Sequence, residues 1–250
     1  MILTKNRPGL NKLAWQINQS GFTLVEIAIV LVIIGITLGG LLVTLTAQID
    51  QRDYSQTKQS MEEIRDALLG YALSHGYLPC PAISSVNGAE DRTAGICTGG
   101  KRVGFLPWAE LGVNKTDYWN HLYRYTVTPA YASSLITITL SPATARDITI
   151  QTRNSVGGLV NLSNANDIPV AVISHGKNGY GGTSNDGILF VDASTNNNDE
   201  KTNHTGGGTI LVSREYGDDK TTTFGEFDDI VVWLSPNAYL SKMVSAGKLP

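Results

Sequence analysis

Between Pro8 and Pro79 the chain has no proline at all, although it holds nine in total. No proline-imposed break interrupts its opening part. Acids are missing from residues 1–21, and charge of either sign is missing from Ile27 to Leu45. Cysteine is scarce: Cys80 and Cys97 stand alone without a C-x-x-C spacing, which gives a zinc ribbon or a redox dithiol no support. The four histidines are scattered, and no H-E-x-x-H, G-x-S-x-G or Walker-type glycine loop is present. An enzyme is therefore not expected. His175 lies on a loop without an evident partner and reads as structural or exposed, while Trp108, Trp119 and Trp233 read as packing residues. A basic surface is also lacking. Residues 1–21 carry three bases, and the remainder carries a net −6. That balance argues against general nucleic-acid binding, which needs clustered positive charge.

What is present is a membrane-length apolar run. Ile27 to Leu45 is uncharged and Phe22 to Val25 extend it, enough for a bilayer-spanning helix of roughly 20 residues. Lys5, Arg7 and Lys12 precede it, so the positive-inside bias puts residues 1–21 in the cytoplasm and the remainder outside. A secretory signal peptide is one alternative, but its apolar region usually runs about 7–15 residues before a small-residue cleavage site. Here the run is longer, begins with Glu26 and ends in a poor site, Leu45-Thr46-Ala47. A plain N-terminal anchor is the other alternative, and hydropathy alone does not separate it. Glu26 does: a lone acid in such a run is costly and needs a mechanism. Gly21 offers a flexible peptide bond near the cytoplasmic interface, and cleavage there would create an α-amino group on Phe22, one helical turn from the Glu26 carboxylate. Pairing lowers the cost of both charges, within one chain or between neighbours.

Gly21-Phe22-Thr23-Leu24-Val25-Glu26 followed by an apolar run resembles the cleavage and methylation motif of type IV prepilins and type II secretion pseudopilins. The resemblance implies that prepilin peptidase cuts after Gly21 and methylates the new N-terminus, Phe22. It also implies that Glu26 pairs with the N-terminus of an adjacent pilin or pseudopilin subunit during assembly. Two features depart from the pattern: the 21-residue leader is long, and the helix-bending proline of many relatives is missing. Gly35, Gly39 and Gly40 either loosen the helix or permit close packing.

Past the run, Tyr54, Thr57, Met61, Ile64, Leu68 and Tyr71 recur at three- and four-residue steps, the mark of an amphipathic helix that Gly76 and Pro79 end. Unbroken from Phe22 to His75, such a helix is about 80 Å long. Beyond it the pattern becomes β. Strands are expected over 121–128, 135–141, 147–152 and 168–174, with weaker candidates at 188–192, 209–213 and 229–234. The 26 glycines, among many Asn, Ser and Thr, supply turns. The fold class expected is α+β: a long N-terminal membrane-spanning helix whose C-terminal half packs on an antiparallel sheet, pilin-like, with a β-rich insertion. The divisions are a removed leader at 1–21, a transmembrane and polymerisation helix at 22–49, its amphipathic half at 50–77 and a periplasmic domain at 78–250.

Gly76-Tyr77-Leu78-Pro79, Gly104-Phe105-Leu106-Pro107 and the run from Asp117 to Tyr125 resemble turn and strand motifs of major pseudopilins. The stretch from Ser174 to Gly182 resembles their glycine-rich β-loop, and Phe227-Asp228-Asp229-Ile230 its acidic end. An insertion at about 183–226, expected to add a hairpin or two, separates these pieces. No cofactor is required by this reading. Calcium is the ion that the resemblance implies, and the positions matching the family's ligands are Asn178, Asp228 and Asp229, with Asn178 standing where the family has Asp. The alternative is a solvated, Asx-turned loop. In an oxidising periplasm, Cys80 and Cys97 are expected to form a disulfide. The function expected is a filament subunit, a minor pilin or pseudopilin, in the bacterial inner membrane before assembly. The rival is a membrane-tethered binding or adhesion module that uses the insertion.

Overall fold

The computed structural model describes residues 21–140, 143–191, 197–222 and 224–249, without the side chains of 40–45. The chain divides into two units, 1–48 and 49–250, and helix α1, Leu24–His75, has residues in both.

In the first unit, Thr23 opens the helix. Its backbone N–H and its hydroxyl donate to Glu26 Oε2 at 2.8 and 2.9 Å, and its Oγ1 accepts from the Glu26 N–H at 3.3 Å. This reciprocal Thr-x-x-Glu pair satisfies donors that a helix start leaves open. The described apolar side chains from Leu24 to Leu38 are exposed around the helix. Among the described residues no helix is long and apolar enough to cross a membrane. The span expected over 22–49 is not recovered from them, because its apolar run continues through residues 40–45, whose side chains lie outside the description. The leader likewise lies outside the described residues, apart from Gly21.

In the second unit, α1 buries Thr57, Met61, Ile64, Leu68 and Ala72, which share one face by their three- and four-residue spacing. Tyr71 is buried with them, whereas Tyr54, which the spacing also put on this face, is exposed. Gly76, at φ +87°, closes the helix by donating its N–H to the Ala72 carbonyl at 2.8 Å. A two-stranded hairpin follows, β1 (Arg92–Thr93) and β2 (Ile96–Cys97), then β3 (Val103–Phe105), α2 (Trp108–Leu111) and β4 (Arg124–Val127). Next come β5 (Thr149–Arg153), β6 (Leu159–Asn161), β7 (Val170–Ser174), α3 (Asn198–Thr205), β8 (Ile210–Val212), β9 (Ile230–Trp233) and α4 (Pro236–Ser245).

Strands β3, β4, β7 and β9 form, in that order, an antiparallel sheet with Tyr125 opposite Val172 and Val172 opposite Val232. Alternation assigns its two faces. Tyr125, Val127, Val170, Val172 and Ile230 join Met61, Ile64 and Leu68 of α1 in one core. Ala171, Ile173 and Val231 join Ile148, Ile150, Ile168 and Leu211 in a second. The sheet is thus packed by α1 on one face and by the three-stranded sheet β6-β5-β8 on the other.

The α+β class and the packing of α1 on an antiparallel sheet agree with expectation, and four details differ. Of the segment 135–141, residues 135–140 join no ladder and 141 lies outside the described residues. Leu135 and Ile136 are taken up by a turn and bend, Ile138 is buried, and exposed Leu140 makes only an isolated bridge to Ala143, so the β-branched alternation pairs with no described strand. The stretch from Ile188 makes an isolated bridge, Leu189 to Thr183, rather than a strand, and 192 lies outside the described residues. The second sheet is mixed, since β8 pairs parallel with β5. The insertion contains helix α3 as well as β8, where only β structure was expected.

Candidate functional site

Two places hold the residues singled out from sequence. The first is the start of α1. Gly21, Phe22 and Thr23 precede the helix, Phe22 is exposed, and Glu26 lies in the first turn. The carboxylate is engaged by Thr23, so Glu26 also acts as a local helix cap. Sequence alone pointed to a single role for this acid; the Thr-x-x-Glu spacing was the signal for the other.

The second place is a group of buried carboxylates. Strand β7 runs into the loop 175–182, and Gly176, at φ +56°, sits against Asp228 so closely that a Cβ there would collide with the Asp228 Cγ and carbonyl oxygen. The loop reaches Asp228 as a result. The Asn178 N–H donates to Asp228 Oδ2 at 2.7 Å. Asp228 and Asp229 lead into β9, and the Asp228 N–H donates to Glu200 Oε1 at 2.9 Å. Glu200 lies on α3, three residues before Asn203, so both look from one helix face. Asn203 Nδ2 donates to Asp229 Oδ2 at 2.8 Å and to the Val212 carbonyl at 2.9 Å, while its Oδ1 accepts from the Val212 N–H at 2.7 Å. It thereby occupies the edge of β8 as another strand would.

Ligand-capable oxygens of Glu200, Asp228 and Asp229 all lie within 4.8 Å of one another. Asn178 does not join them through oxygen. Its Nδ2 donates to Glu200 Oε1 and Oε2 at 3.0 and 3.2 Å, and its Oδ1 accepts from the Tyr180 N–H at 2.8 Å. Of the positions matched to the family's ligands, the structure gathers Asp228 and Asp229, turns the Asn178 amide nitrogen inward, and adds Glu200. Nothing in the sequence marked Glu200, because its neighbour Asp199 is an equally plain acid in the same Asn-rich stretch. The structure separates the two. Asp199 receives Arg153 at 2.6 Å and Arg214 at 2.8 Å, whereas Glu200 is held by amides of Asn178, Asn197 and Asp228.

Burial, above all, raises the carboxyls. Asp229 is pushed up to about 8 against the opposing pull of the Asn203 bond and the Arg124 and Arg214 charges, and Glu200 and Asp228 rise as well, with neighbouring carboxylates adding to burial for these two. His175 is fully buried and has a partner after all: its Nδ1 lies 3.3 Å from Asp229 Oδ1. Burial first and Arg124 second lower it to about 3, so the ring is neutral. Asp228 Oδ1 is shut off from solvent and accepts no hydrogen bond. An orphaned acceptor beside two more carboxylates is a donor set that suits a hard divalent cation such as calcium, which takes oxygen ligands.

Cys80 and Cys97 are disulfide-bonded, with Cα atoms 5.3 Å apart. The bridge lies in a separate region of the second unit. Beside it, Arg92 donates to the carbonyls of Leu78, Gly95 and Ala132 and pairs with Glu90.

Residues 17–42 match the sequence model of the prokaryotic N-terminal methylation motif. No curated protein and no solved structure matches the chain. The motif match covers the N-terminal segment alone, and it brackets Gly21, Phe22 and Glu26. It implies processing by prepilin peptidase and assembly with other pilin subunits, and it indicates a structural subunit rather than an enzyme. The chain carries the N-terminal methylation motif of the type IV pilin and pseudopilin family, and that motif supports its place there.

Proposed function

We propose that the chain is a structural subunit of a type IV pilus-like filament or of a type II secretion pseudopilus, a minor pilin or pseudopilin. Before assembly it is a single-pass protein of the bacterial inner membrane, with its N-terminus cytoplasmic and its globular part, 78–250, periplasmic. Prepilin peptidase cuts the leader after Gly21 and methylates Phe22. The helix of residues 22–49 then leaves lipid for a bundle of like helices, where Glu26 meets the amine of a neighbouring Phe22 and sets register.

The observation that carries this reading is the methylation-motif match at residues 17–42 with an acid in the first turn of α1. Two physical points support it. A helix apolar on every side needs a cover of lipid or protein, and the described apolar side chains from Leu24 to Leu38 are exposed. An acid at the head of such a helix is costly until it meets a cation, and cleavage after Gly21 creates one a single turn away. Thr23 survives the cleavage, so the helix keeps its cap.

As its ion we propose calcium at the carboxylates around Asp228 and Asp229. Calcium would neutralise charges that burial disfavours, and binding to the folded state alone would stabilise it. Assembly itself requires no cofactor in this reading.

Mass spectrometry of the mature N-terminus tests the processing. The expected product begins at methylated Phe22; an intact Met1, or a cut after Ala47, would overturn the reading. Glu26→Ala is expected to be processed normally yet fail to enter filaments, and undiminished incorporation would remove the role given to Glu26.

A second reading, a membrane-tethered binding or adhesion module, is favoured by one feature of the insertion. Ile188, Leu189 and Val191 are 66%, 52% and 85% exposed. A contiguous apolar run left in water is a candidate contact surface. A subunit at a filament tip would unite the two readings.

A further inference from the structure

We propose that the insertion at 183–226 supplies an acidic ligand of this site, Glu200, in place of the Asn178 side chain, so that calcium clamps the insertion to the β-loop. The inference rests on the calcium reading given above and adds to it the identity of the ligand and the consequence for the insertion.

Asn178 stands at the position that the resemblance assigns to a ligand, yet its side-chain oxygen is occupied by the Tyr180 N–H and its amide nitrogen faces Glu200. A donor NH2 group repels a cation and holds a carboxylate. Asn178 is therefore a positioning residue for Glu200, not a ligand. Asn197 Nδ2 and the Asp228 N–H complete the hold, at 2.9 Å each. These contacts come from three separate segments, and all converge on one side chain with no solvent exposure.

Burying a carboxylate without a cation is expensive. At Asp199 that cost is offset by two arginines, Arg153 and Arg214. Glu200, the next residue on α3, instead has carboxylate oxygens of Asp228 and Asp229 within 4.8 Å. Three such groups repel one another when ionised, and the buried Oδ1 of Asp228 has no hydrogen-bond donor. The oxygen without a donor belongs to one of the three clustered carboxylates, and a cation bound among them would relieve it as well. A hard divalent cation satisfies all of it: it accepts anionic oxygens and leaves their outer lone pairs to the amides already in place.

The mechanical consequence follows from where the ligands sit. Glu200 is on α3 within the insertion, whereas Asp228 and Asp229 precede β9 of the main sheet. An ion shared between them ties α3 to that sheet, alongside the Asn203 bonds to Asp229 and Val212. Calcium should then order the insertion.

The test uses the full chain in detergent or nanodiscs, titrated with calcium chloride by calorimetry and followed by backbone hydrogen exchange over 197–205. Wild type is expected to bind calcium and to slow exchange in that segment. Glu200→Gln should weaken binding at least about tenfold and abolish the slowing. Glu200→Asp, which keeps the charge but shortens the reach, should weaken it too and guards against a folding artefact. Asn178→Asp discriminates sharply: a ligand position would bind more tightly as Asp, whereas a residue facing Glu200 gains a like charge and binds more weakly. If wild type binds no calcium, the calcium reading fails and takes this inference with it. If wild type binds and Glu200→Gln binds equally, the calcium reading stands and the role of Glu200 is refuted; if Asn178→Asp tightens binding, the calcium reading stands and the replacement of the Asn178 side chain by Glu200 is refuted.

Discussion

Reducing the Cys80–Cys97 bridge should lower the stability of the 49–250 unit by about 3 kcal/mol, from the loop-closure entropy of a cross-link spanning 17 residues. For a unit of this size, that loss corresponds to a fall of roughly 6–12 °C in melting temperature. The fold should survive the loss, because the loop is held by other means. Arg92 bonds the carbonyls of Leu78, Gly95 and Ala132, and Glu90 accepts from the Cys80 N–H at 2.9 Å. The effect should therefore appear as a lowered midpoint with native near-ultraviolet dichroism retained below it. Comparing the oxidised and reduced wild-type chain is cleaner than substitution, since Cys80 is fully buried and a serine there would add an unsatisfied hydroxyl. Thermal melts by circular dichroism at one scan rate, with and without a phosphine reductant, read the difference. A shift below about 1 kcal/mol, with reduction verified by alkylation and mass, would refute the view that the bridge acts by restricting the unfolded chain.

The carboxylate cluster makes a pH prediction for chain stripped of divalent cations with a chelator. Asp229 ordinarily ionises near 3.8 and is raised to about 8 by burial, so its contribution favours folding at low pH and is withdrawn as pH rises towards 8. His175 moves the other way, from 6.5 to about 3, and its contribution changes only below 6.5. Between pH 6.5 and 8 the carboxyls act alone, and the melting temperature should fall across that window; a rise there would contradict the burial of ionisable oxygens. Gly176→Ala places a Cβ at φ +56° against Asp228 and should cost more than the roughly 1–2 kcal/mol expected of left-handed backbone alone. Gly112→Ala, at φ +64° with open space around it, is the control, and equal losses in urea titrations would remove the close approach of loop and acid.

Sequence by itself determined the features whose causes lie within a few residues of one another. The order Gly21, Phe22, Glu26 before an uncharged run is a local pattern, and the motif match covers it. The stripe of Thr57, Met61, Ile64 and Leu68 and the stop at Gly76 follow from helical periodicity and from glycine's access to positive φ. Strands β4, β5, β7, β8 and β9 were legible because β-branched residues run together between turns. The disulfide was legible by elimination, with two cysteines and one partner each.

Only the tertiary structure decided the rest. Residues 135–140 have strand propensity but pair with no described strand, and pairing depends on a distant neighbour, not on their own residues. The parallel pairing of β8 with β5 joins segments some sixty positions apart, through an insertion whose helix α3 shows little apolar periodicity. Asp199 and Glu200 are adjacent and chemically alike, yet one meets two arginines and the other two carboxylates and three amides. Which acid becomes a staple and which joins a site depends on which side of α3 meets Arg153 and Arg214 and which meets Asp228 and Asp229. Long-range packing sets those faces, and no local pattern encodes them.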